Sequence, residues 1–251
     1  MITIKNAHEI ELMRSVNSIV GNLLRNLGEM VRPGISTAEL NAYAEDFIRS
    51  NDGHPAFKGY TVSGLPPFPA ATCISVNSCI VHGIPSTEAV LQDGDIVGVD
   101  IGVRKNGFHA DAARTYSVGT ISVETQRLLD VTQEALARGI AVALDGNRVG
   151  DISHAIGSFV EQQGFYVADN LTGHGIGRLL HEDPMIPNFG RAGRGPRLKA
   201  GMTVAIEPMV NVGTNRTKED GWEWYVADNS NSAHYENTIL ITKSKPEILT
   251  K

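Results

Sequence analysis

Cysteine is scarce: Cys73 and Cys79 are the only two among 251 residues. So small and close a pair cannot staple a secreted scaffold, and with no second pair nearby it does not make a structural zinc site. Both are expected to be free thiols in a reduced cytoplasm. Basic runs are missing too. The net charge of −6 comes from acids scattered along the chain, and no cluster of Lys and Arg is long enough to grip a phosphate backbone, so direct nucleic-acid binding is not expected. No segment is apolar for long enough to cross a bilayer. The opening "MITIKNAHEIELMRS" carries charges every few positions where an export signal needs an unbroken apolar core, so the chain is expected to be unexported and cytoplasmic. Hydrophobic residues make up 41% of the sequence, enough at this length to bury a sizeable core in one large domain or two small ones.

From Asn6 to Met30 the apolar residues Ile10, Met13, Val16, Val20, Leu23 and Leu27 recur at spacings of three and four, with Asn6 and Glu9 placed as a capping pair, which predicts an amphipathic helix. "RPG" at 32–34 ends it. Ser36 and Glu39 form a capping box for a second helix carrying Leu40, Tyr43 and Phe47, which stops near Gly53. The same order returns later: a helical pattern from about Ser122 to Leu144, the turn "DGN", then a helix from Asp151 that stops at Gly164. Gly34 to Gly146 is a shift of 112 and Gly53 to Gly164 a shift of 111, which suggests two similar halves of about 6–118 and 122–242. Strands are expected at 72–76, 95–103, 108–118, 202–211 and 234–242. Helix pairs preceding hairpin-forming strands point to an α+β chain, helices packed on one side of a mainly antiparallel sheet.

The stretch "IVGVDIGVRKNGFHADAARTY" (96–116) places two aspartates where a core strand should be apolar. Asn106-Gly107 is a strong signal for a two-residue type I′ loop. If it is that loop, Lys105 faces Phe108 and residues whose numbers sum to 213 lie opposite one another. One face then holds Val97, Val99, Ile101 and Val103 against Phe108, Ala110 and Ala112. The other holds Asp100 and Asp111 as diagonal neighbours, about 7 Å apart by backbone. Two carboxylates this close require a proton or a cation between them, and Gly98, Gly102 and Ala113 are expected to leave room for one. A solvent-facing pair on an exposed sheet face is the alternative.

Three further segments repeat the oddity. "LTGHGIGRLLHEDP" sets His174 between glycines and His181 before Glu182, in a stretch too glycine-rich for a stable helix and so expected as a loop or strand end beside an open site. "GMTVAIEPMV" reads as a buried strand whose one charge is Glu207, and "SAHYENTILIT" does the same with Glu236. A carboxylate there is costly unless paired or bound to metal. Two Asp, two Glu and one His make a mainly oxygen donor set that suits Mn²⁺, Fe²⁺, Co²⁺ or Zn²⁺ in a two-metal site. Such a pair of ions activates water, which is hydrolytic chemistry.

Together, "VHGIP" (81–85), "GDIVGVDIGV", "GFHADAARTY", "GHGIGRLLHEDP", "IEPMV" and "YENTILIT" resemble, in order and spacing over nearly the whole chain, the methionine aminopeptidase family, bacterial type I. The resemblance implies the pita-bread fold: a single catalytic metallopeptidase domain over 1–251 whose two quasi-repeated halves pack helices outside a curved, mainly antiparallel sheet. It implies that Asp100, Asp111, His174, Glu207 and Glu236 bind two divalent metals, with Asp111 and Glu236 bridging and Glu207 also taking the proton of the attacking water. His82 and His181 match the histidines that contact the substrate amine or scissile peptide. Leu65, Phe68, Cys73, Leu180 and Trp222 match the methionine side-chain pocket, with Trp224 a competing candidate. Asn77, Cys79 and Ser232 match positions that give backbone oxygens to a monovalent cation in some members. The implied substrates are nascent polypeptide amino termini at the ribosome with a small second residue, the implied enzyme a cytoplasmic monomer.

Several positions depart from the family's pattern. His234 and Asn237 stand where many type I members have glutamine and histidine, and Leu65 and Leu180 replace common aromatics. The first two flank the ligands and bear on metal preference or proton handling. A related alternative is an Xaa-Pro aminopeptidase or prolidase, which usually carries an extra amino-terminal domain for which the helix at Asn6 is expected to leave no room. A non-enzymatic scaffold is another, but such relatives typically lose metal ligands, and all five positions here are ligating types.

Overall fold

The computed structural model describes residues 2–251. Helix α1 (Ala7–Met30) begins at the expected cap: Glu9 N–H donates to Asn6 Oδ1 at 3.0 Å and Asn6 N–H donates to Glu9 Oε2 at 3.0 Å. Ser36 and Glu39 open α2 (Thr37–Ser50) in the same way. Ser122 caps α3 (Val123–Ala141), accepting the Thr125 N–H at 3.1 Å. The fourth helix, α4 (Val149–Gln162), starts two residues before the expected Asp151. Asp151 lies inside its first turn and reaches back to accept the Arg148 N–H at 2.7 Å, so the acid that looked like the start is the returning half of the cap.

The Asn-Gly hairpin has the expected register. Asn106 and Gly107 both have positive φ, of 52° and 79°, and Ile96–Lys105 pairs with Phe108–Ser117 from Lys105↔Phe108 out to Ile96↔Ser117. Val97, Val99, Ile101, Val103, Phe108 and Ala110 are fully buried in a first core, beneath the apolar face of α1. The hairpin, Cys73–Val76 and His54–Pro55 form one four-stranded sheet. A second core lies under α3 and α4, against the five-stranded sheet whose order is Glu247–Ile248, Asn237–Leu240, Thr203–Ile206, Thr172–Gly175, Glu182–Pro187. Two three-stranded sheets complete the structure, and every ladder is antiparallel among the described residues.

The expected strands 202–211 and 234–242 are each broken in two. Thr203–Ile206 lies in the five-stranded sheet and Met209–Asn211 in a three-stranded one, with Glu207-Pro208 between. Ser232–His234 and Asn237–Leu240 divide in the same way around Tyr235-Glu236. The two breaks face each other, because Ile206 pairs with Asn237 and Met209 with His234. Pro208 has no N–H for a continuing ladder, so this pair of strands bends as a unit and both glutamates sit at the bend.

The second half also covers the outer edge of the hairpin, an arrangement that satisfies an otherwise open strand. Thr238 Oγ1 donates to Asp111 O at 2.8 Å, Glu236 N–H to Ala113 O at 2.9 Å, and Tyr235 Oη to Thr115 O at 2.6 Å. Thr115 Oγ1 donates to His234 O at 2.9 Å. Through this seam the two glutamates are brought to the aspartates. No helix among the described residues is long and apolar enough to cross a membrane.

Candidate metal centre

Asp100 and Asp111 share the hairpin face turned away from the first core, opposite Ala113 and Gly102 respectively. Cys73 pairs with Asp100 from the other side, its thiol buried and held well above its ordinary pKa. One glycine serves a different end from the one expected. A Cβ at Gly102 would lie 2.5 Å from the Phe57 ring, so glycine there admits an aromatic side chain and leaves no void for a cation. Glycines on either side of His174 have a similar cause: a Cβ on Gly173 would meet Ala205 O at 2.4 Å and one on Gly175 would meet Asp183 O at 2.2 Å. Neighbouring backbones close in on this strand from both sides and fix the imidazole between them.

His174 Nδ1 lies 2.9 Å from Gly175 O, a geometry that places the proton on Nδ1 and leaves a lone pair on Nε2. That bare nitrogen faces Asp111 Oδ2 at 3.7 Å and Glu207 Oε1 at 3.6 Å. Burial pushes the His174 pKa down to about 3, so no imidazole proton serves the two acids. Burial pushes the carboxyls the other way: Asp100 up to about 7, Glu207 up to about 8, Asp111 and Glu236 well above the usual range, the last two also by their acidic neighbours. Asp100 Oδ1, Asp111 Oδ1 and Glu236 Oε1 are buried without a hydrogen-bond partner. Donor atoms of Asp111, His174 and Glu236 all lie within 4.8 Å of one another. Unpartnered carboxylate oxygens beside a bare imidazole nitrogen fit a divalent cation.

A cavity of about 980 Å³ opens onto this cluster. His82 and His181 line it, as do Phe68, Cys73, Leu180 and Trp222. His82 has a positive φ of 60° and its pKa is pushed down to about 4, chiefly by burial. The His181 ring lies 4.4 Å from that of His174. Trp222 meets Phe68 edge-on at 5.4 Å and donates Nε1–H to Pro66 O at 2.9 Å. Leu65 is not among the lining residues; it packs on the first core, and Tyr60 and Val62 line the cavity from the same loop. Trp224 packs instead against the small cluster of Ile80, Val81 and Met209. Ser232 N–H donates to Asn77 O at 2.9 Å, and Cys79 pairs with Tyr225 in the adjoining sheet.

Two contacts involve residues outside the expected site set. Tyr60 Oη is 2.8 Å from His181 Nδ1 and orients that ring, yet "FKGY" lies in an aperiodic loop. His234 Nε2 is buried 3.4 Å from Glu207 Oε2. Position 234 stood out only as a departure from a pattern.

The family model for "Metallopeptidase family M24" matches residues 11–243. The chain belongs to this family. It is 53% identical to a methionine aminopeptidase of Clostridium perfringens, covering 100% of this chain and 99% of that relative. The crystal structure of a methionine aminopeptidase from Thermotoga maritima superposes with a TM-score of 0.96 at 44% identity, covering 100% of both chains. A prolidase from Pyrococcus furiosus shares the fold at a TM-score of 0.78 and 24% identity, with 65% of its length covered. The expected pita-bread architecture is therefore borne out, and this M24 chain is a metal-dependent hydrolase. The resemblance read from its motifs holds over the full length.

Proposed function

We propose that the chain is the aminopeptidase that removes amino-terminal methionine from polypeptides with a small second residue. The observation that carries this reading is the bare His174 Nε2 facing Asp111 and Glu207 at the end of a cavity with an apolar wall, in a chain 53% identical over its length to a methionine aminopeptidase. Asp100, Asp111, His174, Glu207 and Glu236 are the residues that would hold the divalent metal, with Asp111, His174 and Glu236 converging most closely. Bound there, the ions supply Lewis acidity that lowers the pKa of water and polarises the peptide carbonyl. Glu207 accepts the proton of the attacking water and passes it to the departing amine, a role supported by its carboxylate lining the cavity beside His174, 3.6 Å from Nε2. His82 and His181 hydrogen-bond the substrate at its amine and scissile peptide, His181 oriented by Tyr60. Phe68, Cys73, Leu180 and Trp222 hold the methionine side chain, with Leu65 behind them.

The oxygen-rich donors accommodate Co²⁺, Mn²⁺, Fe²⁺ or Zn²⁺, and the carbonyls near Asn77, Cys79 and Ser232 are the candidate place for a monovalent cation. A single domain of two quasi-repeated halves belongs to the same reading, supported by the helix pair before strands in each half. So do a monomer, a cytoplasmic location and substrates emerging as nascent chains at the ribosome. The test is cleavage of a Met-Xaa-Ser panel against Ala-Pro-Ala after metal removal and stepwise reconstitution. Met-Ala-Ser is expected to be cut and Met-Leu-Ser spared. Cleavage of Ala-Pro-Ala alone points to an Xaa-Pro peptidase, and metal binding without any hydrolysis points to a scaffold.

A further inference from the structure

The seam between the halves contains a cation that none of these roles uses. Arg114 lies on Phe108–Ser117 and alternates away from Asp111 and Ala113, yet its guanidinium reaches the bend that carries Glu236. Nη1 donates to Ala113 O at 2.7 Å and to Glu236 O, and Nη2 donates to Asn237 Oδ1 at 2.6 Å. Ala113 O also accepts the Glu236 N–H at 2.9 Å. Glu236 is thus held at its own N–H and its own carbonyl, and the next side chain is held by the same planar fork. Asn237 Oδ1 accepts a further bond from Thr250 Oγ1 at 3.0 Å and its strand partner is Ile206, the residue before Glu207. Fixing Asn237 therefore constrains both bends.

Ordinary seam closure does not need a charge. The neighbouring links use neutral hydroxyls, Thr238 on Asp111 and Thr115 on His234, whereas a guanidinium drawn out of water carries a desolvation cost. What the guanidinium adds is a rigid planar fork whose two nitrogens hold three acceptors, where a hydroxyl donates one bond and an ammonium sits on a flexible stem. It also ties down Asn237, one of the chain's departures from its family's usual sequence.

We propose that Arg114 is a positioning residue for Glu236, fixing the bend so that this carboxylate is presented between Asp111 and His174, while touching neither substrate nor metal. The inference rests on the reading of Glu236 as a metal ligand. A second cavity, of about 730 Å³, lies behind Arg114 between α3 and the carboxy-terminal strands and reaches the surface at Lys245. A small cation can therefore enter the space left by truncating Arg114.

The test is calorimetric titration of Mn²⁺ into metal-free wild type, Arg114→Met and Arg114→Lys, alongside kinetics on Met-Ala-Ser. For Arg114→Met, one Mn²⁺ equivalent is expected to bind about 10–100-fold more weakly, the usual cost of losing a partner that orients a ligand. kcat should fall while KM is unchanged, and Arg114→Lys should be intermediate. In Arg114→Ala, guanidinium at non-denaturing concentration should restore Mn²⁺ affinity where urea does not. Where the Met variant fails to fold, the Lys variant and the guanidinium rescue decide the matter. Equal Mn²⁺ affinity in wild type and the substituted proteins, or guanidinium no better than urea, overturns the role of Arg114 alone. Wild type that binds no divalent ion overturns the functional reading as well.

Discussion

At the scale of single residues, the site is made from groups whose ionisation has been set by where they are buried. Asp111 is central: it is 4% exposed, one carboxylate oxygen faces His174 Nε2 and the other is buried without a partner. Asp111→Asn keeps the size and removes the charge. Turnover is expected to fall by more than the ~10–100-fold that follows loss of an outer partner, and one metal equivalent should be lost in titration. Full activity in that variant would remove Asp111 from the assignment. The two aspartates were legible because Asn106-Gly107 fixes the register, and a period of two then decides which side chains share a face. Tyr60 was not legible, since its bond to His181 joins residues 121 positions apart in aperiodic loops.

At the scale of elements, the loop carrying Leu180 and His181 is pinned by the amino-terminal segment. Lys5 Nζ lies 2.9 Å from Glu182 Oε2, with both side chains nearly inaccessible, and Thr3 Oγ1 donates to the same oxygen at 2.7 Å. Arg178 meets Glu9 at the start of α1 at 2.8 Å. Removing one member of a buried pair strands the other charge, so Lys5→Met should lower stability by about 3 kcal/mol, and Lys5→Met/Glu182→Met should recover much of that loss. Thermal unfolding of the three proteins checks the order. The single variant should also lose about tenfold in kcat/KM through a displaced His181.

A surface pair behaves differently. Arg14 Nε and Nη2 donate to Glu247 Oε1 and Oε2 at 2.8 and 2.7 Å, tying α1 to the last strand. These bonds hold the Glu247 carboxyl below its usual value. A depressed acid contributes stability above its unfolded pKa of about 4.3 and loses that contribution as the pH falls through its folded value. Because the pair is half-exposed, at most about 1 kcal/mol is expected. Arg14→Met should therefore melt slightly below wild type at neutral pH, and the gap should close in acid below the usual glutamate range. A gap that widened in acid would contradict the sign.

At the scale of the molecule, two cores meet at one site. Asp100 and Asp111 come from the hairpin over the first core, and His174, Glu207 and Glu236 come from strands and bends beside the second. The helix pairs and the hairpin could be read from caps and periodicity because those signals are local. The double bend at Glu207-Pro208 and Tyr235-Glu236 could not, because it arises where facing strands leave one sheet together for another, a long-range event that each segment alone presents as a continuous apolar strand. The same bend explains why carboxylates interrupt those runs: they sit where the ladder is broken. If metal joins the halves, a divalent ion at a hundred times its Kd should raise unfolding free energy by about 2.7 kcal/mol, reversed by a chelator, and Asp111→Asn should lose most of that gain.

The most direct measurement is stepwise reconstitution of the metal-free chain with Mn²⁺ or Co²⁺, counting ions bound while following cleavage of Met-Ala-Ser. No turnover is expected without metal, with recovery as ions are added and saturation by two equivalents per chain. A chelated, metal-free protein that still released methionine at the full rate would contradict metal dependence.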